Sequence, residues 1–94
     1  MRLDGKVIIV TGAAAGLGRQ YAIRFAKEGA RLTIADVQDV AKTAELCSSA
    51  GAEVLALHVD VSSEEAMLDM AKQTHERYGR IDGLLNNAGM MRGL

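Results

Sequence analysis

The sequence has no proline, no tryptophan, one cysteine and only 3% aromatic residues. At the usual proline frequency of ~5%, about five would be expected in a chain of this length. Their absence excludes a proline-rich ligand or linker and favours dense secondary structure. The lone Cys47 excludes an internal disulfide and fits a reducing, cytoplasmic compartment. No charge of one sign prevails, since the net charge is -1. A nucleic-acid partner or an anionic membrane, either of which calls for a basic patch, is therefore not expected. No apolar run approaches the ~18 residues of a membrane span. Arg2, Lys6, Val7-Ile8-Ile9-Val10 and Ala13-Ala14-Ala15 imitate a signal peptide, but Asp4 interrupts the positive segment. The apolar run is also far shorter than the ~7–15 residues of a true signal core. The 94 residues fit a single domain, 1–94, with no room for a second.

What the sequence does hold is alternation. Residues 6–11 carry Val7, Ile8, Ile9 and Val10, a continuous apolar run suited to a strand buried on both faces. Residues 16–29 place Leu17, Tyr21, Ala22, Phe25 and Ala26 along one helical stripe, which predicts Tyr21 in the core. Residues 31–36 read as a second strand. Residues 38–50 read as a second helix with Val40, Ala41, Ala44 and Cys47 on one face, and residues 53–59 as a third strand. Residues 62–79 form the clearest helix, with Ser62 and Glu65 at capping-box spacing and Met67, Met70, Ala71, Thr74 and Tyr78 on one face. Residues 81–85 are a fourth, short strand. Gly29, Gly51 and Gly79 sit where helices stop. This succession predicts an α/β fold, a Rossmann-type parallel sheet of strand order 3-2-1-4 with three helices and right-handed crossovers. Ligands then bind beyond the carboxyl ends of the strands, where the strand order reverses.

The residues at those ends carry chemistry. Strand one runs into Thr11-Gly12-Ala13-Ala14-Ala15-Gly16-Leu17-Gly18, a TGxxxGxG loop opening a helix. Gly12 permits a tight turn, Gly16 lets the backbone approach a pyrophosphate, and Gly18 lets helix and strand pack closely. The amides at the helix start then face the phosphates, which makes Gly16, Leu17 and Gly18 cofactor-binding candidates. Asp36, eighteen residues after Gly18, ends strand two, where a carboxylate accepts hydrogen bonds from an adenosine ribose. It would also repel a 2′-phosphate. At ~4 Å and an effective dielectric of about 20, one charge pair amounts to ~4 kcal/mol. No Arg or Lys lies between Thr11 and Gly18 or in Val37-Gln38, so NAD is expected over NADP. The other role open to Asp36 is to cap the following helix. Asp60-Val61 after strand three either contacts an adenine ring through carboxylate and amide or simply leads into the next helix.

With Asn86-Asn87-Ala88-Gly89 after strand four and Leu3-Asp4-Gly5-Lys6 before strand one, the chain resembles the N-terminal part of a short-chain dehydrogenase/reductase over essentially its whole length. The resemblance implies a Rossmann fold, a nicotinamide cofactor, a small alcohol or ketone substrate and a homo-oligomeric complete enzyme. It also implies that Asp60 belongs to the adenine site, that Asn87 and Gly89 lie beside the cofactor, and that Asn86 helps hold the strand ends together. The family's catalytic Ser, its Tyr-x-x-x-Lys pair and an upstream Asn all lie beyond the NNAG segment. Neither tyrosine here replaces them, because Phe25 stands four residues after Tyr21 and Asp82 four after Tyr78. No residue of the chain is therefore expected to be catalytic, and the chain alone is expected to be inactive. A standalone, non-catalytic dinucleotide-binding module would share every motif. A methyltransferase with an adenosyl cofactor is disfavoured by the glycine spacing and NNAG. His58 and His75 lack metal-site spacing, Cys47 reads as packing, and Met90-Met91 read as packing or a loose terminus. Strand four, with Ile81, Leu84 and Leu85, is expected at an open edge, making the chain alone marginal or prone to associate.

Overall fold

The computed structural model describes residues 2–87. Its elements alternate: β1 (Val7–Thr11), α1 (Gly16–Lys27), β2 (Arg31–Asp36), α2 (Ala41–Ser49), β3 (Val54–His58), α3 (Glu64–Tyr78) and β4 (Gly83–Asn86). The strands form one sheet in the order β3-β2-β1-β4, as expected. Each neighbouring pair is parallel, with Val7 against Arg31, Leu32 against Val54 and Ile8 against Gly83. The central pair β1 and β2 explains the continuous apolar runs. Val10, Leu32 and Ile34 point to the face covered by α1 and α2, where they meet Ala22, Ala26, Val40 and Cys47. Ile9 and Ala35 point to the other face, where Val59 and Met70 of the α3 side cover them. Burying side chains such as Leu32 and Ile34 stabilises the fold by roughly 1.5–3 kcal/mol each.

Polar residues on the α3 side are satisfied locally. Thr33 and Thr74 are both buried, and their hydroxyls are hydrogen-bonded at 2.8 Å. Thr74 donates onward to Met70 O at 2.8 Å, and Tyr78 Oη donates to Leu32 O at 2.8 Å. The stripe read along this helix is therefore its packing face, with Met70, Thr74 and Tyr78 buried.

Several boundaries differ from the sequence reading, each for a physical reason. The second helix begins at Ala41 rather than at residue 38. Asp36 Oδ1 accepts the Gln38 amide at 3.1 Å and Asp39 Oδ1 accepts the Ala41 amide at 2.9 Å. These side-chain turns divert the backbone from helix until Ala41. The cap of α3 is Ser63, whose Oγ accepts from the Ala66 amide at 3.1 Å. Ser62 lies one residue before the cap position, and its Oγ donates to Asp60 Oδ1 at 2.7 Å. The fourth strand starts at Gly83 and runs to Asn86. Ahead of it, Val7 donates its amide to Asp82 Oδ2 at 2.9 Å and Asp82 donates its own to Val7 O at 2.8 Å. A carboxylate thus replaces a backbone carbonyl in the first rung. Tyr21 is not in the core: it is 40% exposed and stacks on Phe25 with ring centroids 6.3 Å apart. The buried positions of α1 are the small Gly18, Ala22 and Ala26, since the helix approaches the sheet too closely for a ring.

Candidate functional site

The strand order reverses at β1, which has β2 on one side and β4 on the other. The carboxyl end of β1 is Thr11, whose Oγ1 donates to Asn86 Oδ1 of β4 at 2.7 Å. Asn86 therefore ties the two strand ends together. Asn87 is buried, and its Nδ2 lies 3.4 Å from Gly12 O. Gly18 packs against the same spot. A methyl group there would collide with the Gly12 carbonyl and come within 3.0 Å of Asn87 Nδ2. Gly12, Gly18 and Asn87 thus meet at one point. Gly89 lies outside the described residues.

The loop between β1 and α1 is open at Gly16. Gly12 and Gly16 have φ of 65° and 58°, the left-handed region where a side chain is strained. No atom lies within 4 Å of where a Cβ of Gly16 would be. Ala15, the residue preceding α1, offers no side-chain cap, and the first turn holds no acidic residue. Among the described residues nothing accepts from the amides of Gly16, Leu17 and Gly18. Uncapped amides at the positive end of a helix form a site for an anion. Leu17 itself is 51% exposed, so its side chain is not part of the core stripe read from the sequence.

Asp36 stands at the end of β2, beside this loop. Its Oδ2 accepts from the Ala14 amide at 2.9 Å and its Oδ1 from Gln38. A carboxylate has about four acceptor positions, so two remain for hydroxyl donors. Asp36 does not cap α2: the residue at that position is Val40, without a side-chain cap bond. Asp60 is exposed and follows β3, whose His58 is in register with Asp36. Asp60 Oδ1 accepts from both the amide and the hydroxyl of Ser62, and Val61 beside it is half-buried.

Two residues the sequence reading passed over are at the loop. Arg19 Nη2 donates to Ala14 O at 2.6 Å and its Nε to Thr43 Oγ1 at 2.9 Å. Thr43 is fully buried, and its hydroxyl donates to Ala13 O at 2.7 Å. These partners are 24 and 30 residues apart, and only the docking of α2 beside α1 reveals them.

Tyr78 has its hydroxyl committed to Leu32 O, and burial pushes its pKa up. Burial pushes the Cys47 thiol up to about 11, which keeps it protonated and inert. Among the described residues no three His, Cys, Asp or Glu side chains gather as metal ligands, and no helix is long and apolar enough to cross a membrane.

Comparison with known proteins agrees with this geometry. The family model for short chain dehydrogenases matches residues 6–94. Tropinone reductase-like 2 of Erythroxylum coca is 41% identical over 92 residues, which are 98% of this chain and 33% of that protein. Levodione reductase of Leifsonia aquatica is 43% identical, with 95% of this chain and 35% of the relative covered. Among solved structures, carveol dehydrogenase from Mycobacterium avium in complex with NAD superposes with a TM-score of 0.89 and 32% identity, covering 94% of this chain and 37% of that one. The chain thus spans about a third of the length of the relatives it matches.

Proposed function

The chain belongs to the short-chain dehydrogenase family, and from this premise we propose that it forms the adenosine and pyrophosphate half of the cofactor site of an NAD-dependent oxidoreductase. The observation that carries the reading is the uncapped, acid-free start of α1 at the strand-order switch, with the Asp36 carboxylate beside it. The amides of Gly16, Leu17 and Gly18 hold the pyrophosphate, and Gly16 admits its approach. Gly12 and Asn87 shape the turn beneath it. Asp36 accepts the ribose hydroxyls with its two remaining acceptor positions and disfavours a 2′-phosphate, which selects NAD over NADP. Asp60 and Val61 receive the adenine.

A bound nicotinamide would supply hydride-transfer chemistry to or from the carbinol or carbonyl carbon of a small alcohol or ketone. The groups that exchange the hydroxyl proton belong to sequence beyond residue 94. Residues 1–94 are the first part of a single nucleotide-binding domain, which assembles into a homo-oligomer. A cytoplasmic setting is part of the reading, supported by the free thiol of Cys47.

Calorimetric titration tests the ligand class. NAD is expected to bind, and S-adenosylmethionine to give no saturable heat; the reverse pattern would overturn the reading. Residues 1–94 alone are expected not to oxidise NADH with any ketone. Turnover by purified chain above a mock-purified blank would contradict the placement of the proton-transfer groups.

A further inference from the structure

We propose that Arg19 and Thr43 are positioning residues for the pyrophosphate, acting together as a clasp on the glycine loop. The inference rests on the dinucleotide reading above and goes beyond it by assigning what sets the loop's shape. Thr43 lies in the first turn of α2 with no exposed surface. Its hydroxyl donates to Ala13 O and accepts from Arg19 Nε, while the same guanidinium donates to Ala14 O. On the amide side, Ala13 donates to Ala35 O at 3.1 Å and Ala14 donates to Asp36 Oδ2. Both polar groups of Ala13 and of Ala14 are therefore engaged within the protein, and their amides are withdrawn from any ligand.

Peptide planarity turns these contacts into a positioning device. A carbonyl and the amide of the next residue share one plane and point in opposite directions. Thr43 on Ala13 O and Asp36 on the Ala14 amide therefore grip opposite ends of a single peptide plane. Arg19 on Ala14 O fixes the next plane and aims the Ala15 amide away from the guanidinium. The amides left to donate are those that follow, at the start of α1. The clasp thus couples the carboxylate that meets the ribose to the loop that meets the phosphates. Arg19 also brings positive charge: among the described residues no carboxylate lies within ion-pair distance of its guanidinium, so that charge remains available to the phosphates.

The test compares ADP with adenosine by titration of the full chain. Thr43→Val keeps the side-chain shape and removes the hydroxyl, leaving the Ala13 carbonyl and Arg19 Nε without their buried partner. It is expected to weaken ADP about tenfold while changing adenosine less than about twofold. Thr43→Ser, which restores the hydroxyl, is expected to recover most of that loss. Arg19→Lys keeps the charge but not the two-pronged grip and is expected to weaken ADP selectively as well. Hydrogen exchange of the Ala14 amide reads the loop without ligand and is expected to quicken in Thr43→Val. Equal weakening of ADP and adenosine in both variants, unchanged ADP affinity, or failure of Thr43→Ser to recover it would overturn the clasp. A wild-type protein that binds neither NAD nor ADP would instead overturn the dinucleotide reading, and the clasp with it.

Discussion

Gly18 has no room for a side chain, because a methyl group there meets the Gly12 carbonyl rather than a movable side chain. Gly18→Ala is expected to cost ~1–3 kcal/mol of stability, as overpacking does, and to lower NAD affinity; a thermal melt and a titration read the two effects. Asp82 supplies a second residue-level expectation. The Arg80 guanidinium at 2.8 Å, and then the Val7 amide, hold its carboxyl below the usual range. A carboxyl with a lowered folded-state pKa adds stability above its ordinary value of about 3.9 and loses it as pH falls through the folded value. Asp82→Asn is therefore expected to flatten the decline in melting temperature below about pH 4. An unchanged decline would show that other carboxylates carry it. Gly12, Gly16 and Gly18 were legible because their demands are local. Arg19 and Thr43 were not, since nothing in the spacing of residues 19 and 43 shows that two helices meet at the loop. The role of Asp82 was likewise hidden, 75 residues from its amide partner.

At the scale of elements, periodicity located every helix and strand, and side-chain competition decided their ends. The spacing of Ser62 and Glu65 marks Ser62 as the cap of α3, but the helix starts at Glu64, so Ser63 takes the cap while Ser62 bonds Asp60. Ser63→Ala is expected to destabilise the protein by ~1 kcal/mol, and Ser62→Ala by clearly less; equal effects in urea melts would contradict the assignment. α2 starts later than its spacing predicts for a similar reason: Asp36 and Asp39 draw nearby amides into turns before Ala41. Helical spacing alone also misplaced Tyr21. It marks the stripe that includes Ala22 and Ala26 without showing that only small residues fit beneath it.

The whole molecule is a sheet covered on both faces whose β4 edge is open among the described residues. On this side Leu84 is 53% and Ile81 40% exposed, and an apolar edge of this kind recruits further strands. Residues 1–94 alone are expected to self-associate in sedimentation, and Leu84→Lys to reduce the association; a clean, concentration-independent monomer would contradict this. Strand order and the position of the switch point were legible from alternation, because parallel crossovers leave few topologies open. The most direct test of the central claim is the ratio of kcat/KM for NAD to that for NADP in the complete enzyme to which residues 1–94 belong, wild type against Asp36→Arg. The wild type is expected to favour NAD by at least about tenfold, or ~1.4 kcal/mol, and Asp36→Arg to reverse the order. A wild-type preference for NADP, or a ratio unmoved by the substitution, would contradict the account of Asp36 and of the site built around it.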